Sequence, residues 1–257
     1  MIEEPRRPWN WSDPQELAAT VDSFNDELAR CEKLELVAEA PFDCALLAEL
    51  GITGIEFAAF KTRHPSGLGT DLISPHSDEL TAQRGGIYRV DGAALFTELD
   101  ISEPLPFEDA SVGWVYAEHL IEHVSLSVAI GWLTEVRRIL APGGLLRLTT
   151  PDLRVYAESY LNGDNFFGKH RHRMDRSLRG IAPPMPTRGA FMFNQLFYVY
   201  GHRRIYDVEE LRHALGEAGF DPTAVTVRAF RDGARPDVAD LDQVLRNDET
   251  MYVEVTA

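Results

Sequence analysis

The sequence predicts one α/β domain built on a doubly wound, mostly parallel sheet of seven strands, with helices on both faces and an antiparallel last strand. Short apolar segments alternate with amphipathic segments from about residue 51 onward, which is typical of this class. The 257 residues, 44% of them hydrophobic, are enough for one sizeable core. Neither a repeat nor a low-complexity linker interrupts the pattern, so we expect a single sheet.

Residues 1–50 are predicted to form a helical cap on a domain that spans residues 51–257. Apolar residues recur at nearly helical spacing over 13–39, and Pro14 suits the start of a helix. A second, short helix is expected over 42–50, ended by a glycine.

The rest of the chain reads as alternating strands and helices. The apolar face of 126–140 predicts a long amphipathic helix, and the Pro-Gly-Gly that follows it would end it. Another well-marked helix is expected over 208–218. The predicted strands cover residues 53–58, 68–73, 87–90, 111–117, 145–150, 225–230 and 251–255.

Composition excludes several classes of function. A net charge of -16 opposes nucleic-acid binding, which draws most of its affinity from neutralising phosphates. No apolar run approaches the roughly 20 residues that a membrane span needs, and the amino terminus lacks the apolar core of a signal peptide. We therefore expect a cytoplasmic protein with a small-molecule substrate. Cys31 and Cys44 are expected to be buried as small apolar residues.

One long segment carries a resemblance to a known family. Residues 100–152 read DISEPLPFEDASVGWVYAEHLIEHVSLSVAIGWLTEVRRILAPGGLLRLTTPD. This resembles the core of class I S-adenosylmethionine-dependent methyltransferases, of the methyltransferase type 11 kind, where a PLPF loop, an EH..EH segment and a P-G-G turn occur in this order. A later stretch, YGHRRIYDVEELRHALGEAGF, is also similar, and the resemblance covers most of residues 50–257.

The resemblance implies a Rossmann-like fold with S-adenosylmethionine as cofactor and S-adenosylhomocysteine as product. It matches Glu56 to the acid that opens the glycine-rich turn and Asp71 to the acid that accepts both ribose hydroxyls. Asp91 is the choice for the acid near the adenine amino group, with Asp100 as its competitor. The cofactor-binding residues that the resemblance implies are Glu56, Phe57, Ala58, Phe60, Asp71, Asp91, Gly92, Ala93, Glu118, His119 and Leu120.

The chain departs from the family at the glycine-rich turn. Where the family has E/D-x-G-x-G, this sequence has Glu56-Phe57-Ala58-Ala59-Phe60, and no clear helix follows between residues 60 and 69. Glycine there allows unusual torsions and a close approach of the ligand, whereas the ring of Phe60 could fill space meant for the methionine tail.

Histidines offer candidate catalytic groups. His119 and His123 belong to an H-x-x-E-H pattern known from zinc peptidases, but no third ligand is evident, so we predict no metal site. His119, His123 and His202 are instead candidate bases, because imidazole titrates near neutrality. The alternatives are that one histidine stacks at the pocket rim and another caps a short helix.

Further segments have two interpretations each. The basic run 169–173, with Arg176 and Arg179, could clamp an anionic substrate or pair with nearby acids in a solvated loop. The aromatic stretch 185–200 suits core, an interface in a homodimer, or an aromatic substrate box. His202, Arg203 and Tyr206 offer polar tips for a substrate, and residues 231–249 read as a surface excursion between the last two strands.

Three functions follow from these observations. The first is methyl transfer from S-adenosylmethionine to oxygen or nitrogen of a small molecule, such as a sugar or a natural product, helped mainly by positioning. The second is a methyltransferase-fold protein that no longer methylates and acts as another enzyme or as a regulatory or structural partner. The third is a metallohydrolase that uses His119 and His123.

Overall fold

The structure, a computed structural model, describes residue 26 and residues 30–177, 184–198 and 200–257. In this part of the chain, nine strands form one sheet in the order β1-β4-β5-β3-β2-β6-β7-β9-β8. The strands are β1 (Leu34–Glu39), β2 (Gly54–Phe57), β3 (Gly67–Asp71), β4 (Gly86–Val90), β5 (Ala94–Glu98), β6 (Val112–Glu118), β7 (Leu140–Pro151), β8 (Thr226–Arg228) and β9 (Thr250–Thr256).

Helices accompany the sheet, and the three that the sequence predicts beyond residue 40 begin at acidic or hydroxyl caps. Asp43, Ser125 and Asp207 each accept a hydrogen bond from a backbone N–H of the first helical turn. None of the helices in the described ranges is both long and apolar enough to cross a membrane. The helices are α1 (Cys44–Glu49), α2 (Leu126–Ile139), α3 (Leu153–Asn162), α4 (Phe166–Ser177), α5 (Gly189–Tyr198), α6 (Val208–Glu217) and α7 (Pro236–Ala239).

The predicted fold class is confirmed. Strands β5, β3, β2, β6 and β7 are parallel neighbours, while β9 pairs antiparallel with β7. The sheet is two strands larger than predicted, because β1 and β5 were not expected. Both lie on the same side of β3. There β4 pairs antiparallel with β5, and β1 pairs antiparallel with β4 and forms the edge of the sheet.

The helix predicted over residues 13–39 is wrong at its carboxyl end, and most of the rest of that range lies outside the described residues. Residues 34–39 form β1, which pairs with β4 from Leu34 opposite Val90 to Glu39 opposite Gly86. Only Glu35 separates Leu34 from Leu36, so the two leucines lie on the same face of a strand. Pairing with a free sheet edge therefore decides the conformation here.

The third predicted strand, 87–90, exists as β4 but is the first strand of a hairpin. Asp91 and Gly92 both have positive φ (50° and 75°), and the N–H of Ala93 donates to the carbonyl of Val90. Asp-Gly with two positive φ angles is typical of the hairpin turn whose twist matches its strands. The chain therefore reverses into β5, and β5 is the strand that lies parallel to β3.

One face of the sheet carries the main core. Helices α1, α2 and α6 cover it, and Trp132 and Leu133 of α2 are almost fully buried there. Phe57 of β2 packs edge-on against Trp132, with ring centroids 5.3 Å apart. Burying side chains of this size contributes about 1.5–3 kcal/mol each.

Residues 231–249, predicted to be a surface excursion, cover the other face instead. Val238 of α7 and Leu241 pack against Trp114, Tyr116 and Leu145 of the sheet. The prediction is wrong because the apolar residues of this insert have a sheet face to bury. We call residues 231–249 the insert.

A buried arginine fastens the insert to the sheet. Arg147 of β7 makes two hydrogen bonds to the carboxylate of Asp242, at 2.9 and 2.6 Å, and a third to Glu254 of β9 at 2.8 Å. Its remaining bonds reach the backbone carbonyls of Ala229 and Asp232. All five donors of the guanidinium group are thereby engaged by protein acceptors.

The connection between β2 and β3 lacks a helix, as the sequence suggested. Residues 61 and 62 lie so close to β3 that a Cβ on Gly69 would come within 2.2 Å of the backbone nitrogen of Thr62. Gly54 likewise lets the ring of Trp114 lie directly on β2, since a Cβ there would approach it to 2.0 Å. Loop and insert together replace the helix on this face.

Candidate functional site

The candidate site lies where the parallel strands β2, β3, β5 and β6 end. In open α/β sheets, ligands bind beyond the carboxyl ends of the strands, near the point where the strand order reverses. The order places β2 between β3 and β6, so this crevice is formed by the residues that follow these three strands. Most of the predicted cofactor residues belong to these segments.

The turn after β2 keeps the backbone torsions of a glycine-rich loop without its glycines. Ala58 has φ of 53° and Phe60 has φ of 62°. These two residues occupy the glycine positions of E-x-G-x-G in the sequence. The left-handed region costs a residue with a side chain about 1–2 kcal/mol, so the surrounding structure imposes this turn.

The side chain of Glu56 is bonded to the loop that follows β2. Its buried carboxylate accepts hydrogen bonds from the N–H groups of Arg63 and His64, at 3.0 and 2.9 Å, and from the Thr62 hydroxyl group. Lys61 of the same loop pairs with the buried carboxylate of Glu32. Two acids therefore hold the loop 58–64 against the sheet, in the place where the family has a glycine turn and a helix.

Asp71, the predicted ribose acid, ends β3 in the crevice. Its half-buried carboxylate accepts from the N–H of Ile73 at 3.1 Å. Burial raises the pKa of this carboxyl group, while the backbone N–H groups of Phe60, Leu72 and Ile73 oppose the shift. A carboxylate bonded to backbone N–H groups keeps acceptor capacity for the hydroxyl groups of a ligand.

An apolar surface that sequence reasoning missed adjoins Asp71. The side chains of Leu72 and Ile73 are 57% and 68% exposed, so two adjacent aliphatic side chains face solvent directly after β3. An aromatic ring of a ligand could cover this surface. The signal in the sequence was a pair of aliphatic residues directly after the acid.

The assignment of Asp91, Gly92 and Ala93 to the cofactor is wrong. These residues form the turn between β4 and β5, at the edge where β5 starts, whereas Asp71 lies opposite Glu98 where β5 ends. Four strand rises of about 3.3 Å separate the two ends of β5, roughly 13 Å. Asp91 is also engaged there, with the N–H of Lys33 at 2.8 Å and with Arg30 at 2.6 Å.

The competing acid, Asp100, follows β5 at the crevice edge. Its carboxylate accepts from Ser102, at 2.7 Å from the hydroxyl group and 3.0 Å from the N–H, and pairs with Arg84 at 3.2 Å. The bonds to Ser102 are the main cause of its lowered pKa, and Arg84 adds to them. Of the two alternatives weighed from the sequence, only Asp100 lies at the same edge as Asp71.

Glu118 ends β6 and faces the insert. Its buried carboxylate accepts from the N–H of Gln243 at 3.0 Å and lies 3.7 Å from Arg63. Burial raises its pKa, and the positive charges of Arg246 and Arg63 oppose that shift. Arg63 also lies 3.8 Å from Glu56, so this arginine, which sequence reasoning missed, stands between the acids that end β2 and β6.

His119 lies in a buried pocket behind the crevice. It has φ of 51°, its Nε2 lies 2.7 Å from the hydroxyl group of Thr250, and its Nδ1 lies 3.2 Å from the carboxylate of Glu122. Burial lowers its pKa well below the usual value, so the ring is neutral. Leu120 beside it packs against the main core. Both ring nitrogens of His119 therefore face protein groups.

His119 and His123 do not form the pair that H-x-x-E-H would give on an α-helix. Residues Ile121–His123 form a short 3-10 helix that begins after His119, so the two histidines do not share a helical face. His123 instead faces His202, with ring centroids 4.8 Å apart at 76°. The structure thus brings together two of the three candidate bases and separates the third.

Two residues of the basic run pair with acids of the insert, but they do so on a helix and in a buried position, not in the solvated loop of the second interpretation. Arg173 of α4 lies 2.9 Å from Asp248 and 2.6 Å from Glu249, and His170 lies 3.0 Å from Asp248. The hydroxyl group of Tyr156 completes the network with bonds to His170 and Glu249. This network joins α3 and α4 to the end of the insert.

Some of the remaining residues that the sequence singled out are packed in the core, and others are exposed. Phe193 and Phe197 of α5 pack against a cluster formed by α3 and α4, so the aromatic stretch is core at these residues. Tyr206 is fully buried and does not face a substrate, contrary to expectation. Cys31 and Cys44 are exposed, not buried. Arg179 lies outside the described residues.

Comparison with known proteins agrees with the resemblance. A family model described as a methyltransferase domain matches residues 53–225, more than half of the chain. No protein of curated function matches in sequence.

Similar solved structures include methyltransferases at low identity. An S-adenosylmethionine-dependent methyltransferase from Mesorhizobium loti is 16% identical over 83% of this chain and 96% of its own, with a TM-score of 0.41. One from Archaeoglobus fulgidus is 10% identical over 96% and 95%, with a TM-score of 0.44. Human N-acetylserotonin methyltransferase, solved with S-adenosylmethionine, is 14% identical over 63% and 33%, with a TM-score of 0.34. The assignment rests on the family model: the chain belongs to the family of S-adenosylmethionine-dependent methyltransferase domains.

Proposed function

We propose that this protein transfers the methyl group of S-adenosylmethionine to an oxygen or nitrogen atom of a small molecule. The observation that carries the proposal is the carboxylate of Asp71, which ends β3 at the crevice beside the exposed Leu72. A carboxylate next to an apolar surface suits a nucleoside, because the ribose has two hydroxyl donors and the base has an apolar face.

The residues present fit the nucleoside half of the cofactor, whereas the site for its methionine half differs from that of the family. Asp71 would accept the ribose hydroxyl groups, and Leu72 would cover one face of the adenine. Ala58 and Phe60 keep the left-handed turn beneath the cofactor, but Glu56 is engaged by loop 58–64. When bound, S-adenosylmethionine supplies an activated methyl group on a positively charged sulfur atom. The acids Glu56 and Glu118 end the two strands on either side of this part of the crevice, and Arg63 lies between them.

The acceptor side is assigned to the segments after β6 and before α6. The N–H groups of Arg203 and Arg204 donate to the carbonyl of Glu122, at 2.7 and 3.2 Å, which fixes the two segments to each other. His123 and His202 face each other at this junction. Of the three candidate catalytic histidines, these two line the acceptor side, and His119 is a positioning residue that supports it from behind.

Calorimetric titration with S-adenosylmethionine and S-adenosylhomocysteine tests the proposal. We expect micromolar binding to the wild type and binding weaker by about tenfold in Asp71→Asn, the scale of a lost charge-assisted hydrogen bond. Asp91→Asn is the matched control, because that acid lies at the opposite edge of the sheet. It should bind both ligands like the wild type.

The outcomes separate the functional hypotheses. If the wild type gives no heat and no thermal shift at millimolar ligand, the protein does not use this cofactor, and the non-methylating alternative replaces the proposal. If Asp71→Asn and Asp91→Asn bind equally well, the crevice has been assigned to the wrong residues.

A further inference from the structure

Three side chains at the acceptor side form a group with the chemistry of metal ligands. One carboxylate oxygen of Glu122 and one ring nitrogen each of His123 and His202 lie within 4.8 Å of one another. We call these residues the Glu122 cluster. Two imidazoles and a carboxylate are the ligand set of many sites for zinc and related divalent ions. The sequence led us to expect no metal at His119 and His123, because these residues follow a strand of a doubly wound sheet and no third ligand was evident.

One histidine of the cluster, His202, is held as metal-ligating histidines usually are. The Nδ1 of His202 bonds to the backbone carbonyl of Leu196, which leaves its Nε2 as the lone-pair nitrogen. The ring of His123 is exposed and faces the ring of His202, with centroids 4.8 Å apart. Histidines that bind metals usually donate their other ring N–H to a carbonyl or a carboxylate, which fixes the tautomer and the ring plane.

Glu122 is buried with half of its acceptor capacity unused. Its side chain is fully buried, and its Oε2 accepts from the hydroxyl group of Thr150 at 3.0 Å. Its Oε1 has no hydrogen-bond partner among the described residues. A buried carboxylate is costly unless it is paired or coordinates a metal. The Oε1 of Glu122 is therefore available to coordinate a cation.

Other titratable and charged groups face the Glu122 cluster, namely His119 and Arg246. His119 lies 3.2 Å from Glu122, but Thr250 donates its hydroxyl to the carbonyl of Arg246, so the Nε2 of His119 carries the proton that Thr250 accepts. The Nδ1 that faces Glu122 is then a lone pair and supplies no positive charge. Arg246 acts on His119, Glu122 and His123 through its charge, without a direct ion pair to Glu122.

We propose that the Glu122 cluster binds one divalent metal ion of the zinc class, through Glu122, His123 and His202, at the acceptor side of the crevice. The exposure of His123 leaves an open side for a further ligand. A divalent ion lowers the pKa of oxygen groups that bind it, so its place in catalysis would favour a hydroxyl or carboxylate acceptor over an amine. That catalytic meaning rests on the proposed function, whereas metal binding itself does not.

Zinc titration of the full chain, freed of metal with a chelator, tests this proposal. All samples carry Cys31→Ser, which removes the thiol of a second, exposed group formed with His76 and Asp78. We expect one zinc ion per chain with micromolar or tighter affinity in calorimetry, and binding weaker by about tenfold or more in Glu122→Gln and in His202→Ala. His172→Ala, which removes an exposed histidine of α4, is the matched control and should bind zinc unchanged.

Cobalt(II) in place of zinc gives a second readout that does not depend on calorimetry. Visible absorption typical of a four- or five-coordinate ion should appear on titration of the control and be absent in His202→Ala. Circular dichroism of each variant establishes that it is folded. Zinc or cobalt binding that is the same in His202→Ala and in the control would place the ion elsewhere and overturn the proposal.

Binding of S-adenosylhomocysteine, measured in the metal-free protein, keeps the two proposals apart. Absence of zinc binding in a protein that binds this ligand overturns the metal site and leaves the proposed function. Zinc binding lost only in the cluster variants, in a protein that does not bind the ligand, supports the metal site and overturns the proposed function.

Discussion

At the scale of single residues, the turn after β2 has the left-handed backbone torsions that suit glycine, but without glycine. Ala58 and Phe60 have left-handed backbone torsions at positions where the family has glycine. Ala59 between them is not among the residues with positive φ, although it has the same side chain as Ala58. The two alanines therefore form a natural pair for measuring the strain of this turn.

We expect Ala58→Gly to raise the free energy of unfolding by about 0.5–1 kcal/mol. Relief of the left-handed torsion outweighs the extra entropy that glycine gives to the unfolded chain. Ala59→Gly should instead lower the free energy of unfolding by about 0.4–1 kcal/mol, because only the entropic effect acts there. Urea denaturation of the three proteins measures both changes. Equal effects of the two substitutions would mean that the turn is not strained.

At the scale of elements, buried ion pairs attach α4 to the end of the insert. Glu249 is buried beside Arg173 and His170, which overcome the effect of burial and lower its pKa to about 2, although Asp248 opposes them. A carboxyl group whose pKa is lower in the folded state stabilises the fold above its unfolded pKa, near 4.5. That contribution is lost as the pH falls through about 2.

We therefore expect the difference in unfolding free energy between wild type and Glu249→Gln to be largest near pH 7, at about 3 kcal/mol. It should shrink steadily below pH 4.5. Denaturation at several pH values measures it. The control is Glu158→Gln, which removes an exposed partner of Arg154 and should change stability by less than about 1 kcal/mol at any pH. A difference for Glu249→Gln that does not vary with pH would contradict the ion-pair account.

Sequence reasoning succeeded for elements whose signals are local. Strands β2, β3 and β6 are short apolar runs, and α2 and α6 have one apolar face each, so both kinds were predicted close to their bounds. The apolar part of β7 was also predicted, but that strand begins five residues earlier, at Leu140. It failed at β1, where pairing with β4 overrides helical spacing. It also failed at β5, although the Asp-Gly of the preceding turn was an available hairpin signal.

The same distinction applies to the site. The position of Asp71 at the crevice could be predicted because it ends a strand whose direction was correct, and its role as the ribose acid stays a prediction. Asp91 was misplaced because the hairpin carries it to the opposite edge of the sheet. The partnership of Glu122 with His202 depends on how distant segments pack, and a single sequence does not contain that information.

At the scale of the whole molecule, the insert covers a sheet face on which the β2–β3 connection has no helix. The β2–β3 connection leaves one face of the sheet without its own cover, and Val238 and Leu241 of the insert bury Trp114 and Tyr116 there. Because this face belongs to the central strands β2, β6 and β7, the insert should be part of the cooperative core and not an independent lobe.

Asp242→Asn tests this directly. It removes the charge of the group that pairs with Nε and Nη2 of the buried Arg147, leaving only Glu254, at Nη1, to balance the guanidinium charge. Breaking such a buried pair costs about 3–5 kcal/mol, and we expect a loss at the lower end of this range because Glu254 remains. Asp221→Asn, at an exposed turn, is the control and should lose less than about 1 kcal/mol.

The probe that decides whether the insert belongs to the core is hydrogen exchange of the sheet. In Asp242→Asn, amide groups of β6 and of α2, which covers the face opposite the insert, should both exchange faster, by the same factor, since one cooperative unit opens as a whole. Exchange that accelerates only in residues 231–249 would mean that the insert opens separately. The sheet would then be stable without it, and the loss of the helix after β2 would need another explanation.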